Sequence, residues 1–329
     1  MSYQLLQDSI PRAMLKLEEG KNWAKQVPRR KVVLMVVAAV GVMVLLHGFV
    51  AFWPTPDRVS MIQPLESFHD SGKTLRRDSW ISVSDYDIVL AHYDEDATMM
   101  RESIDAVLQR LPEGKTHRTI IYHKGDRNKA GLRELLEFAD EVTQIPNVGR
   151  EGETYLNHIA RVYNEPRTGL AGHTLFMQPH LAWHWVFIPR LEKLLRPRTG
   201  FLSFGPYINQ TCGLDENANS FPRLADIYAM FRGDFCPPVP QLATWAGQFI
   251  VSRKRILDNP LRTYENLRAK FHAGPGHWIW KEGWWNNGPS NPTLGHALER
   301  GWPLIFDCTD GTMSVSCHEG SGETCQCLD

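Results

Sequence analysis

The stretch Asp87-Ile-Val-Leu-Ala-His-Tyr93, followed by the acidic turn Asp94-Glu-Asp96, decides the fold of this chain. A short apolar run that ends in a polar turn is typical of a buried strand. Apolar residues at helical spacing follow over residues 98–110, and a second apolar run covers residues 118–123. Short strands that alternate with helices are typical of a mostly parallel sheet with helices on both faces. We therefore predict an α/β fold.

The same alternation continues along the chain and places three polar segments after predicted strands. They are the acidic turn, the loop at residues 146–152 and the segment Gln178-Pro-His180. Because ligands bind such sheets at the carboxyl ends of the strands, we expect these segments to lie near a site. Further predicted elements are helices at residues 129–139, 153–163, 182–195, 254–257 and 261–271, and strands at 141–145, 173–178 and 248–252.

An apolar run at residues 32–53 predicts a transmembrane helix before this body. The run has no Asp, Glu, Lys or Arg, and Arg29-Arg-Lys31 precedes it. A helix rises about 1.5 Å per residue, so the run is long enough to span the roughly 30 Å hydrocarbon core. The basic cluster predicts that the N-terminus stays in the cytosol. The alternative is a cleaved signal peptide, but no small-x-small cleavage site precedes Trp53-Pro54.

The anchor predicts a single-pass type II membrane protein of the Golgi or endoplasmic reticulum. We divide the chain into a cytosolic tail at residues 1–31, the anchor at 32–53 and a Pro-broken stem at 54–84. Residues 85–329 then form a lumenal α/β domain with a Cys-rich C-terminal tail. The membrane is the first expected partner of the protein.

Composition and missing motifs exclude several classes of function. The net charge is −1, with 36 basic and 37 acidic residues, so no basic surplus exists to bind nucleic acid. No GxSxG motif is present, which counts against an α/β-hydrolase. No GxGxxG motif opens the first βα unit, which leaves dinucleotide binding without support.

All six cysteines follow the predicted anchor, where an oxidising compartment favours disulfides. We expect Cys212 to pair with Cys236 and the last four cysteines to pair among themselves. The alternative for the tail is a zinc site, although two CxxC pairs are missing. Asn209-Gln-Thr211 is the usable glycosylation sequon, because a proline blocks Asn291-Pro-Thr293.

The loop Asn147-Val-Gly149-Arg150-Glu151 has the residue types of an anion site. Its glycines allow tight turns, and the free amides at the start of the following helix favour a negative charge. The planar guanidinium of Arg150 can clamp a phosphate, and Glu151 can accept from a sugar hydroxyl. The alternative is an ordinary helix start with a solvated Arg–Glu pair.

A second candidate site is a metal centre at His180 and His184. Histidines four positions apart share a helix face, which suits two metal ligands. Carboxylates of the acidic turn could complete the site or act as a base. Against a metal, His180 follows Pro179 and Trp residues flank His184, which indicates packing.

At these residues the chain resembles a family of fungal single-pass membrane proteins described as glycosyltransferase-like. The matching segments are Tyr93-Asp-Glu-Asp96, Asn147-Val-Gly-Arg-Glu-Gly-Glu-Thr-Tyr-Leu-Asn-His158, Phe176-Met-Gln-Pro-His180 and Trp245-Ala-Gly-Gln-Phe-Ile-Val-Ser-Arg253. The order also resembles the Rossmann-like GT-A fold of nucleotide-sugar enzymes. There an Asn-x-Gly loop and helix precede a strand that ends in a metal-binding acidic motif. This chain departs from it with Gln178-Pro179-His180 in place of Asp-x-Asp.

The resemblance implies transfer of a sugar from a nucleotide-sugar donor to a small-molecule or glycan acceptor, with a divalent metal such as Mn²⁺ as the possible cofactor. The expected roles are donor binding for Asp94, Asn147, Gly149, Arg150 and Gln248, catalysis for Glu151 and Asp96, and metal binding for His180 and His184. Two alternatives stay open. One is a membrane-tethered, metal-dependent tailoring enzyme that uses the two histidines, and the other is a noncatalytic lumenal binding module.

Overall fold

The fold was analysed in a computed structural model that describes residues 73–126, 128–165, 169–283, 286–317, 322 and 324–329. The predicted tail, anchor and most of the stem lie outside these residues. In the described ranges, no helix is both long and apolar enough to cross a membrane. The described residues from 73 onward form one compact unit.

An eight-stranded sheet organises the described part of the chain. Its strands are β1 (Thr74–Arg76), β2 (Tyr86–His92), β3 (His117–His123), β4 (Glu141–Gln144), β5 (His173–Met177), β6 (Thr199–Ser203), β10 (Phe249–Ser252) and β11 (Cys327–Leu328). They lie side by side in the order β1-β4-β3-β2-β5-β10-β6-β11. The four strands β4, β3, β2 and β5 are mutually parallel, and β10 pairs antiparallel with both β5 and β6.

The prediction of a mostly parallel α/β sheet is therefore confirmed at the level of fold class. Every residue of β2 is buried, which fits a central strand covered on both faces. The helices are α1 (Ala97–Leu108), α2 (Lys129–Leu136), α3 (Arg150–Val162), α4 (His184–Leu194), α5 (Leu224–Arg232), α6 (Arg253–Leu257), α7 (Leu261–Phe271), α8 (Thr293–Ile305) and α9 (Met313–Ser316).

A smaller sheet lies between residues 207 and 244, a stretch in which no strand was predicted. Its order is β8-β7-β9, with all neighbours antiparallel. The strands are β7 (Tyr207–Thr211), β8 (Leu214–Asp215) and β9 (Gln241–Thr244). The sequon residue Asn209 lies in the central strand, and its side-chain oxygen is buried without a hydrogen-bond partner in the described chain. Glycosylation at Asn209 stays a prediction.

Three disulfides confirm the expected role of the cysteines. Cys212 pairs with Cys236, and the last four pair as Cys308–Cys327 and Cys317–Cys325. The bridge at Cys327 ties β11, at the end of the chain, to the segment after α8. The zinc alternative is wrong for the tail, because its thiols are used in disulfides.

A buried ion pair joins the two central strands β2 and β3. The guanidinium of Arg118 donates to both carboxylate oxygens of Asp87, with an Nε–Oδ1 distance of 2.6 Å. Ser84 also donates to Asp87 at 2.6 Å. Burial is the largest influence on Asp87 and raises its pKa despite these partners. The pair therefore lies where loss of one partner leaves an uncompensated charge.

Candidate functional site

The candidate site lies where β5 ends, α3 begins and β10 begins. Because β10 runs antiparallel to β5, its first residues are at the same edge as the last residues of β5. Helix α3 starts at Arg150 rather than at residue 153 as predicted. Gly149 and Arg150 both have positive φ angles, of 70° and 53°. This turn directs the start of the helix toward the end of β5.

Lys124, which follows β3, binds the backbone of the turn at Gly149 and Arg150. Its ammonium donates to the carbonyls of Val148 and Arg150, on either side of Gly149. The Gly149 amide donates to Pro289 O at 2.7 Å, so the loop is bound on two sides. A Cβ at Gly149 would lie 2.4 Å from Glu153 Cβ, which explains why glycine is needed here.

Glu151 is the central carboxylate of the site. Its side chain is 13 % exposed, so a ligand can reach it. It lies 3.5 Å from Arg150 Nε and accepts a hydrogen bond from Gln178 Nε2 at 3.3 Å. Gly247 packs against it so closely that a Cβ there would lie 3.2 Å from Glu151 Cγ. The predicted Arg150, Glu151 and Gln178 are thus brought together.

Arg150 also contacts a histidine from α8. Its Nη1 lies 2.7 Å from His296 Nδ1, and His296 Nε2 lies 3.1 Å from Asn291 Oδ1. Burial, followed by the charge of Arg150, lowers the pKa of His296 to about 4. A neutral imidazole accepts from the guanidinium, so it orients Arg150 without repelling it.

A second carboxylate, Glu299, lies on α8, the helix that also carries His296. Its Oε1 accepts from the Ala246 amide at 2.8 Å and from Arg300 Nη1 at 2.6 Å. Burial raises the pKa of Glu299, Arg300 opposes this, and the charge of Glu151 raises it further. Two carboxyl groups that influence each other across a site are a common arrangement in acid–base catalysis.

A cluster of buried charges lies under the start of α3. Glu153 is 3.7 Å from Lys124 Nζ, 2.9 Å from Arg268 Nε and 3.0 Å from His272 Nε2. Desolvation alone would raise the pKa of Glu153. The hydrogen bond from His272 and the charges of Lys124 and Arg268 outweigh desolvation, so the pKa of Glu153 falls to about 2. Burial lowers the pKa of Lys124 to about 8.

Because of this cluster, the free energy of unfolding depends on pH in the acid range. The folded-state pKa of Glu153 lies below its usual value of 4.5, so the unfolded chain binds this proton more tightly. The stabilisation is complete above about pH 4.5 and is lost as the pH falls through about 2. We expect Glu153→Gln to lower the free energy of unfolding by roughly 3 kcal/mol at pH 7. The difference from the wild type should shrink toward pH 2.

Urea denaturation of both proteins between pH 2 and pH 7 measures this effect. Glu192→Gln is the control, because Glu192 pairs with Arg110 on the exposed surface. Such pairs contribute at most about 1 kcal/mol. A difference between wild type and Glu153→Gln that is constant over this pH range would contradict the assignment.

The acidic turn follows β2 at the same edge of the sheet. Asp94 is exposed there. The exposed Asp96 accepts from the Met99 amide at 2.8 Å and caps α1. Asn147 is exposed on its loop. The predicted catalytic role of Asp96 and the donor-binding roles of Asp94 and Asn147 stay predictions, since no described contact joins these side chains to Glu151.

The predicted pair of histidines on one helix face is wrong. Helix α4 begins at His184, and Trp183 precedes it with a φ of 56°, so His180 lies in the turn before the helix. Both histidines are exposed. Within the described residues, no three His, Cys, Asp or Glu side chains form a group able to hold a metal ion. Metal binding by His180 and His184, and the Mn²⁺ that the resemblance implies, stay predictions.

Gln248, expected to bind the donor, is fully buried just before β10. Its Nε2 donates to Ala182 O at 2.8 Å, which ties the segment before α4 to β10. Its Oε1 has no hydrogen-bond partner in the described chain. In this conformation Gln248 positions the loop, and direct donor binding by its side chain stays a prediction.

Sequence reasoning missed Lys124, His296 and Glu299. Lys124 stands directly after a predicted strand, which was a usable signal. His296 and Glu299 come from α8, which was not predicted, so no signal pointed to them. The comparisons with known proteins add no further residues, because no protein-family model and no curated protein matches this chain.

Proposed function

We propose that this protein is a glycosyltransferase-like enzyme with a GT-A-like sheet, which transfers a sugar from a nucleotide-sugar donor to an acceptor hydroxyl. The observation that carries the proposal is the position of Arg150 and Glu151, at the start of α3 and beside the end of β5. Open α/β sheets bind ligands at this edge. The membrane-anchored layout predicted from residues 32–53 belongs to the same proposal.

Arg150 is the proposed phosphate ligand. Its side chain is 28 % exposed and comes from the first residue of a helix, where the helix dipole favours an anion. The neutral His296 holds the guanidinium in place. A positioned cation can stabilise the charge that develops on the departing phosphate, which is the largest need of such a reaction.

Glu151 is the proposed base that accepts the proton of the acceptor hydroxyl. Its side chain is partly exposed, so an acceptor can reach it, and the guanidinium of Arg150 lies beside it. Glu299 is mostly buried, and the charge of Glu151 helps to raise its pKa. The proton balance is simple: the hydroxyl oxygen bonds to the sugar carbon, its proton passes to Glu151, and the nucleotide leaves with the bonding electrons.

Nucleotide binding is the direct test of this function. We expect the purified full-length chain to bind UDP or GDP in isothermal titration calorimetry. Arg150→Gln should weaken binding by about 10- to 100-fold, because charged hydrogen bonds contribute about 1.5–3 kcal/mol. Titrations with and without Mn²⁺ test the expected metal at the same time.

Arg262→Gln is the matched control, since Arg262 is exposed on α7 away from the start of α3. It should bind the nucleotide like the wild type. A folded wild-type sample that binds neither nucleotide, with or without Mn²⁺, would overturn the proposal.

A further inference from the structure

We propose that Trp183 and Trp185, here called the indole pair, form an acceptor subsite for a pyranose glycan beside Glu151. This inference rests on the proposed function and names the class of acceptor. It joins three observations, which are the exposure of two rings, the backbone conformation that presents one of them, and the contacts that connect them to Glu151.

The indole pair is exposed, whereas several other large aromatic rings of the described chain are completely buried. Trp183 is 40 % and Trp185 60 % exposed, whereas Trp302 is 0 % exposed. The two exposed rings contact each other edge to face, with centroids 5.3 Å apart. His184 lies between them in sequence and contacts the ring of Trp185 at 5.2 Å. The rings therefore form an ordered aromatic surface.

The backbone at Trp183 is held in a conformation that large residues rarely adopt. Its φ is 56°, in the left-handed region. Its carbonyl accepts from the amides of Val186 and Phe187 at 2.7 and 2.9 Å, so the first turn of α4 fixes it there. This conformation is unfavourable for a non-glycine residue because its Cβ crowds the backbone, and glycine would avoid that cost. An outlier of this kind points to a use for the side chain.

A short series of contacts connects the indole pair to the proposed base. Ala182, next to Trp183, is held through its carbonyl by Gln248. Gly247, next to Gln248, packs against Glu151. On the other side, Gln178 donates to Glu151 and begins the segment that leads to Trp183. Both connections hold the segment that carries the indole pair at the same edge of the sheet as Glu151.

The chemistry of this surface fits a sugar better than a lipid. A pyranose ring has C–H groups on its faces and hydroxyls around its rim. Indole faces can pack on the C–H groups, and the exposed His180 and His184 with Gln178 can bond to hydroxyls. Ligand sites typically combine aromatic walls with a few polar groups in this way. A lipid surface would favour a larger apolar patch without such groups.

Oligosaccharide binding by the full-length chain tests the subsite. The probes are cellotetraose, chitotetraose and mannotetraose, titrated by calorimetry with and without UDP or GDP. We expect at least one to bind, and we expect Trp183→Gly and Trp185→Ala each to weaken binding about tenfold or more. Glycine suits the positive φ at position 183 and alanine suits a helix, so both variants should fold.

Phe235→Ala is the control, since Phe235 is 91 % exposed between α5 and β9. It should bind the oligosaccharide like the wild type, and the indole variants should bind UDP or GDP unchanged. The inference is overturned if no probe binds or if the indole variants bind the probe like the wild type. Binding to phosphatidylcholine vesicles is measured as well. The inference is also overturned if vesicle binding is the only binding that the indole variants lose. Trp-dependent glycan binding without nucleotide binding would support the subsite and contradict the proposed donor.

Discussion

Asp87→Ala is expected to lower the free energy of unfolding by about 3–5 kcal/mol, because it leaves the charge of Arg118 buried without its partner. The Arg118 side chain is 1 % exposed and that of Asp87 0 % exposed, at the centre of the main sheet. Arg118 would keep hydrogen bonds only to backbone oxygens, such as Ser82 O at 2.9 Å. Carbonyls do not neutralise a guanidinium.

Urea denaturation at pH 7 measures the loss, and Lys115→Ala is the control. Lys115 pairs with Asp85 at 3.2 Å near the start of the same two strands, but both side chains are exposed. The control should lose less than about 1 kcal/mol. If Asp87→Ala were no more destabilising than Lys115→Ala, the buried pair would not carry the predicted energy.

The double variant Asp87→Leu/Arg118→Met should lose less stability than Asp87→Ala alone. Burial raises the pKa of Asp87 even beside Arg118, so the buried carboxylate carries a desolvation cost that the ion pair must offset. Replacing both charges with apolar side chains removes that cost, whereas removing one leaves it. A smaller loss in the double variant than in Asp87→Ala would show that the ion pair contributes more to the specificity of β2–β3 pairing than to net stability.

Five strands of the main sheet, β2, β3, β4, β5 and β10, could be predicted from short apolar runs, but β1, β6 and β11 were not predicted. β2 and β3 are buried on both faces, so their sequences carry a strong signal with clear polar ends. The predicted boundaries differ from the observed ones by one to three residues at most elements, and α7 was predicted at its observed bounds, Leu261–Phe271. The small sheet was missed because its strands are short and lie at Gly- and Pro-rich turns.

Helix α8 was missed for a different reason. It contains Gly295, Gly301 and Pro303, residues that interrupt helices in solution. Nearly all of α8 is buried, and it packs against α5 and β9, so tertiary contacts outweigh its weak propensity. As a consequence, only part of the candidate site could be predicted from the sequence. Arg150 and Glu151 were identified from their loop, while His296 contacts Arg150 from 146 positions away.

Glu151→Gln is expected to lower the rate of sugar transfer by about 10²–10⁴-fold, the range attributed to general bases. The substitution keeps the shape of the side chain and removes the charge that would accept the proton. Arg150 keeps its contact with His296, so the fold should be retained. The measurement is release of UDP or GDP from the nucleotide sugar that the wild type uses, with the acceptor identified by the oligosaccharide titrations.

Glu102→Gln is the matched control for this rate, since Glu102 is an exposed carboxylate on α1. It makes the same chemical change far from the start of α3 and should leave the rate unchanged. Nucleotide affinity should also stay within a few-fold in Glu151→Gln, because Arg150 and not Glu151 is the proposed phosphate ligand. An unchanged rate in Glu151→Gln would remove Glu151 as the base. A rate that falls only in proportion to nucleotide affinity would instead make Glu151 a residue that positions Arg150.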